Sequence, residues 1–151
     1  MGSRGGSEGS QNGAEAVTLT DAGPLVALVD TGQPQNSRCR ATFATLRLPL
    51  LTTWVAFAEA MYLLGRIGGW TLQRNLWQYV EAGTLVFHLS AGEELPRIRQ
   101  LMAQYHDRPM DLADASLVAA AEARNDKRIF TIDGDFYIYQ WKGQEPFDVI
   151  P

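Results

Sequence analysis

The sequence is poor in the residues that build sulfur and imidazole chemistry. One cysteine, Cys39, and two histidines, His88 and His106, stand among 151 residues. A single cysteine excludes an internal disulfide and a thiolate metal cage, and it suits the reducing interior of a cell. Two histidines are too few for a histidine-rich zinc centre. No apolar run reaches the roughly 18 to 20 residues of a membrane span, so no membrane partner is expected. Neither a GxGxxG pattern nor GxxxxGK followed by Ser or Thr occurs, which disfavours a phosphate-cradling nucleotide fold. Positive charge is scarce too: 13 basic against 17 acidic side chains give a net charge of −4. Bulk charge therefore does not hold nucleic acid, although a local basic patch is still open to the chain. Any metal chemistry must rest on carboxylates, which favour hard ions such as Mg²⁺ and Mn²⁺.

Residues 1–15 are Gly, Ser and polar, and read as a disordered tail or an expression remnant. Residues 16–151 then make one domain of ordinary size. From Val17 onward strand and helix signals alternate. Strands are expected at 17–20, 50–53, 84–89 and 128–132, with short extended runs at 136–141 and 147–150. Helices are expected at 22–30, 34–48, 54–67, 70–82, 93–105 and 112–124. Gly68-Gly69 separates the third helix from the fourth. In the third, Val55, Ala58, Met61, Tyr62 and Leu63 are expected to share the apolar face. Such alternation predicts βαβ units, hence a mostly parallel sheet covered by helices: a three-layer α/β/α sandwich.

The functional signal is where the acids fall. Asp21 and Asp133 each follow a predicted strand. Ligand sites of open α/β sheets form at such carboxyl ends, near the point where strand order reverses. Glu59 lies mid-helix among Phe57, Ala58, Ala60 and Met61, a costly setting for an unpaired carboxylate. Asp111 and Asp114 share one face of a first helical turn. The candidate set is Asp21, Glu59, Asp114 and Asp133, with Asp111 and Asp135 as secondary members. Two carboxylates about 4 Å apart repel by roughly 4 kcal/mol at an effective dielectric near 20. A divalent ion cancels that repulsion, and it can activate water and neutralise a phosphate. Metal-assisted hydrolysis of a phosphodiester or phosphoryl group is the matching chemistry.

Each acid also has a plainer role. Asp21 can cap the following helix, and Asp111 is better placed as a cap than as a ligand. Asp114 suits a helix N-terminus without any function. Asp133 and Asp135 can be turn residues. His88, His106 and Cys39 fit structural roles better than catalytic ones. Ser116 has no histidine–aspartate relay in view.

Four segments in order carry a resemblance. TDAGPLVALVD (20–30), VAFAE (55–59), DLADASLVAAAE (111–122) and IFTIDGDF (129–136) together resemble a PIN domain, especially the VapC-type toxins of bacterial toxin–antitoxin pairs. The resemblance covers residues 17–151. It implies a compact α/β/α fold and Mg²⁺- or Mn²⁺-dependent cleavage of RNA in the cytoplasm. The family's acids fall on Asp21, Glu59, Asp114 and Asp133, and Thr131 matches the hydroxyl of its last motif. Two positions depart from the pattern: Ala22 replaces a hydroxyl residue, and Gly134 replaces a cation. The resemblance also implies a protein antitoxin and frequent homodimers. With few cations overall, Arg38, Arg40 and Arg47 are the foremost candidates for RNA contact. Two alternatives stay open: a PIN nuclease of RNA processing or decay, and a non-catalytic protein-binding module. A phosphatase with a nucleophilic aspartate is disfavoured, because Asp133-x-Asp135 follows a late strand and not the first.

Overall fold

A computed structural model describes residues 17–151. The expected tail at 1–15 lies outside the described residues. Along the chain run β1 (Leu19–Thr20), α1 (Ala22–Val29), α2 (Asn36–Thr45), β2 (Leu50–Thr53), α3 (Trp54–Glu81) and β3 (Leu85–His88). Then come α4 (Leu95–Gln104), α5 (Leu112–Ala123), β4 (Arg128–Phe130), β5 (Gln140–Trp141), β6 (Glu145–Pro146) and β7 (Asp148–Ile150). Five strands form one parallel sheet in the order β3-β2-β1-β4-β7. β5 and β6 make a small antiparallel ribbon.

Successive strand residues point to opposite faces, and each face has its own core. Leu19, Leu51 and Ile129 pack with Ile98 and Leu101 of α4 and Leu117 and Val118 of α5. Their neighbours Leu50, Leu85 and Phe130 pack with Leu25, Val26 and Leu28 of α1, Cys39 of α2, and Phe57 and Leu64 of α3. The result is the expected α/β/α sandwich. Among the described residues no helix is long and apolar enough to cross a membrane.

Three local expectations are corrected. The buried side chains of the first arm of α3 are Ala56, Phe57, Ala60 and Leu64. Of the face expected to be apolar, Tyr62 is 61% exposed and Leu63 38%. Ala56, Phe57, Ala60 and Leu64 recur at helical spacing and set the core side of this arm, so Tyr62 and Leu63 fall off that face and turn outward. Helix 34–48 shortens to α2, because Leu46 is already extended. Segment 136–141 is mostly not extended: Gly134–Tyr137 form a 3-10 turn, and only Gln140–Trp141 pair as strand. The three-residue spacing of buried Phe136 and Tyr139 fits one face of such a turn.

The break at Gly68-Gly69 falls where expected. Gly69 adopts φ 65° and ψ −152°, a conformation open to glycine alone. Gln73 Nε2 donates to the Met61 carbonyl at 3.2 Å. In an unbroken helix these two residues would stand about 18 Å apart, so the second arm of α3 folds back along the first. We expect Leu64→Ala to cost about 2–5 kcal/mol in urea unfolding. Tyr62→Ala is expected to stay within about 0.5 kcal/mol of wild type; the reverse order would contradict this helix orientation.

Candidate active site

β1 and β4 are direct neighbours, with Leu19 opposite Ile129 and Thr20 opposite Phe130. β1, β2 and β3 fill one side of the sheet in turn, and the chain then returns to place β4 on the other side of β1. Strand order therefore reverses between β1 and β4, the position where α/β sheets form ligand crevices. Asp21 leaves β1 at this point, and its amide still donates to the Phe130 carbonyl at 3.0 Å.

Asp21 is held from two sides. One carboxylate oxygen accepts from the Ala22 amide at 2.7 Å, capping α1. The other accepts from the Thr131 hydroxyl at 2.9 Å. Thr131 Oγ1 in turn accepts from the Asp133 amide at 3.0 Å. A continuous chain thus runs from the Asp133 backbone through Thr131 to the Asp21 carboxylate. The Asp133 carboxylate accepts from the Asp135 amide at 3.0 Å and caps the 3-10 turn.

Asp114 arrives from the first turn of α5. Asp111 caps that helix by accepting from the Asp114 amide at 2.7 Å. The Asp114 side chain is buried, and its Oδ2 accepts from the Tyr139 hydroxyl at 2.8 Å.

The structure brings Asp21, Asp114 and Asp133 together: each places a carboxylate oxygen within 4.8 Å of the others. Glu59 and Asp111 line the same cleft, of about 270 Å³, but stand outside that triplet. Asp135 serves the turn through its backbone and is not on the cleft wall. Thr131 is buried beneath the carboxylates, with its hydroxyl committed to Asp21. Arg38, Arg40 and Arg47 do not line the cleft. Arg40 lines a separate one beside Thr84, which leads into β3 at the opposite edge of the sheet. Ser116 shares a hydrogen bond with Thr53 at 2.7 Å, and His88 pairs with Glu94 at 2.8 Å. Neither forms a nucleophile relay. Tyr139 is the contact that sequence reasoning missed, because its segment read as a strand.

Among the described residues no lysine or arginine lines the cleft. Burial, with Asp133 and Asp111 nearby, pushes Asp21 up to about 6 despite its hydrogen bonds from Thr131 and Ala22. Burial pushes Asp114 up to about 8, opposed by the Tyr139 hydrogen bond and reinforced by Asp21, Asp111 and Asp133. Glu59 is raised by burial and then by Asp111, Asp21 and Asp133. Clustered hard oxygen donors with no organic counter-charge fit a small divalent cation.

A PIN domain family model matches residues 18–142. The chain belongs to the PIN domain family. Its fold is similar to that of VapC20 from Mycobacterium tuberculosis, whose crystal structure is described as that of a toxin cleaving the sarcin-ricin loop. The TM-score is 0.76 at 16% identity, over 85% of this chain and 99% of that one. No curated protein matches the chain in sequence.

In this PIN domain, Asp21 and Asp114 hold a proton more tightly when folded than when unfolded. Stability therefore falls as pH rises from about 4, where unfolded carboxyls ionise, through the folded values. Asp114→Asn removes that titration. In thermal melts its stability relative to wild type is expected to be lowest near pH 4 and to grow towards pH 8. Parallel profiles for the two proteins would contradict the buried-acid account.

Proposed function

We propose that this PIN domain is a Mg²⁺- or Mn²⁺-dependent endoribonuclease and the toxin of a toxin–antitoxin pair. The observation that carries the reading is the convergence of Asp21, Asp114 and Asp133 in a cleft that no cationic side chain among the described residues lines. The fold shared with the VapC20 toxin supports it.

In this reading the three carboxylates hold the ion, and Glu59 and Asp111 add negative charge along the wall of the same cleft. When bound, a divalent cation lowers the pKa of a water and neutralises charge on a phosphodiester. The chain's own residues fix the geometry. Thr131 and the Ala22 amide orient Asp21 and favour its charged form. Asp133 is set by the turn that it caps. The cleft opens at the carboxyl edge of the sheet, where a strand of RNA can reach it. On this reading Arg38, Arg40 and Arg47 meet RNA away from the scissile bond.

The reading carries a protein antitoxin and a homodimer as partners and places the protein in the cytoplasm. Tyr62, Ile67 and Trp70 offer apolar surface for a protein partner, at 61%, 50% and 63% exposure. The test is cleavage of single-stranded RNA with Mg²⁺ or Mn²⁺, with and without a chelator. Wild type is expected to cleave only with metal, and Asp21→Asn and Asp133→Asn to fall to background while remaining folded. Full activity in either variant, or in chelator, would contradict the proposal. Cleavage without growth arrest on expression would assign the nuclease to RNA processing and not to a toxin.

A further inference from the structure

After Asp133 the chain turns back under α5. The Ile138 and Tyr139 amides both donate to the Asp135 carbonyl, at 2.9 and 3.1 Å. This closes the turn and carries Tyr139 into the core, where it is 1% exposed. Its ring packs edge-on against Phe136 and Tyr105, each with ring centroids 5.1 Å away. Packing alone would be served by phenylalanine. The hydroxyl adds one thing, a 2.8 Å hydrogen bond to Asp114 Oδ2. A buried phenol must find such a partner, and the bond becomes charge-assisted when Asp114 ionises.

We propose that Tyr139 is a positioning residue for the carboxylate triplet, tying Asp114 to the segment that carries Asp133. The inference rests on reading the triplet as a cation site. The phenol occupies one lone pair of Asp114 Oδ2, which opposes rotation about the Cβ–Cγ bond and leaves Oδ1 open to an ion. The same segment, 131–139, holds the other two acids. Thr131 bonds Asp21, and Asp133 caps the turn that ends at Tyr139. Tyr139 thus links α5 to a framework in which Asp21 and Asp133 are already fixed. Without it Asp114 approaches the others only through the packing of its helix.

The experiment is calorimetric binding of Mn²⁺ to the metal-free full chain, for wild type, Tyr139→Phe and Tyr105→Phe, with a thermal melt of each. Tyr139→Phe keeps the ring and loses only the hydroxyl. Tyr105→Phe keeps its ring contact with Tyr139 and loses a bond from the Gln140 amide, 3.0 Å long, that does not touch the acids. Mn²⁺ affinity is expected to fall about 10- to 100-fold in Tyr139→Phe, the usual effect of losing a group that orients a ligand. Tyr105→Phe is expected to bind as wild type does. Unchanged affinity in Tyr139→Phe would overturn the proposal, as would an equal loss in Tyr105→Phe, which would assign the effect to packing of the turn. If wild type itself binds no Mn²⁺, the cation reading fails first and the role of Tyr139 with it.

Discussion

The site depends on one pairing, the parallel ladder between β1 and β4. These strands are far apart in sequence, yet Leu19 faces Ile129 and Thr20 faces Phe130. Both end at the same edge of the sheet, so the residues that follow, Asp21 and Asp133, are brought side by side. The Asp21 amide extends the ladder by one bond to Phe130, and Thr131 then bridges the two acids. A one-residue slip in this register would send Thr131 and Asp21 to different places and dismantle the bridge.

The second constraint is charge. Carboxylate oxygens within 4.8 Å repel by about 3 kcal/mol per charged pair at an effective dielectric near 20. Elsewhere in this chain half-buried acids find cations: Glu122 pairs with Arg97 at 2.8 Å, and Asp126 with Arg128 at 2.9 Å. Among the described residues the cleft offers no such partner, and burial pushes Asp21 up to about 6 and Asp114 up to about 8. The same burial that makes these acids costly gives a divalent ion a strong field to neutralise. On the proposed reading, a cation site and a local weak point in stability are one feature seen under two conditions.

Much of this was legible in the sequence because it rests on period and punctuation. Alternating β-branched and helical segments gave the layers, and Gly68-Gly69 gave the break in α3, though not the fold-back that follows it. Asp21 and Asp133 stood out because each follows a strand, a placement that survives errors of one or two residues. Three things were not legible. The apolar face of α3 was misassigned because its core side uses Ala56 and Ala60, which carry less hydrophobic signal than the exposed Tyr62 and Leu63. Tyr139 was hidden because an aromatic-rich stretch reads as β-strand by propensity. What decides its conformation is the capping carboxylate of Asp133 and the three-residue spacing of Phe136 and Tyr139, both tertiary in effect. The arginines are a third case: residue type suggests a role, but placement depends on which end of the sheet α2 and the segment after it reach.

The central claim is that Asp21, Asp114 and Asp133 form one cation site. The most direct measurement is anomalous diffraction from crystals of the protein soaked in Mn²⁺. A strong peak within coordination distance of all three carboxylates is the expected result. Carboxylates that stay clustered around no ion, with any manganese bound elsewhere on the surface, would contradict it.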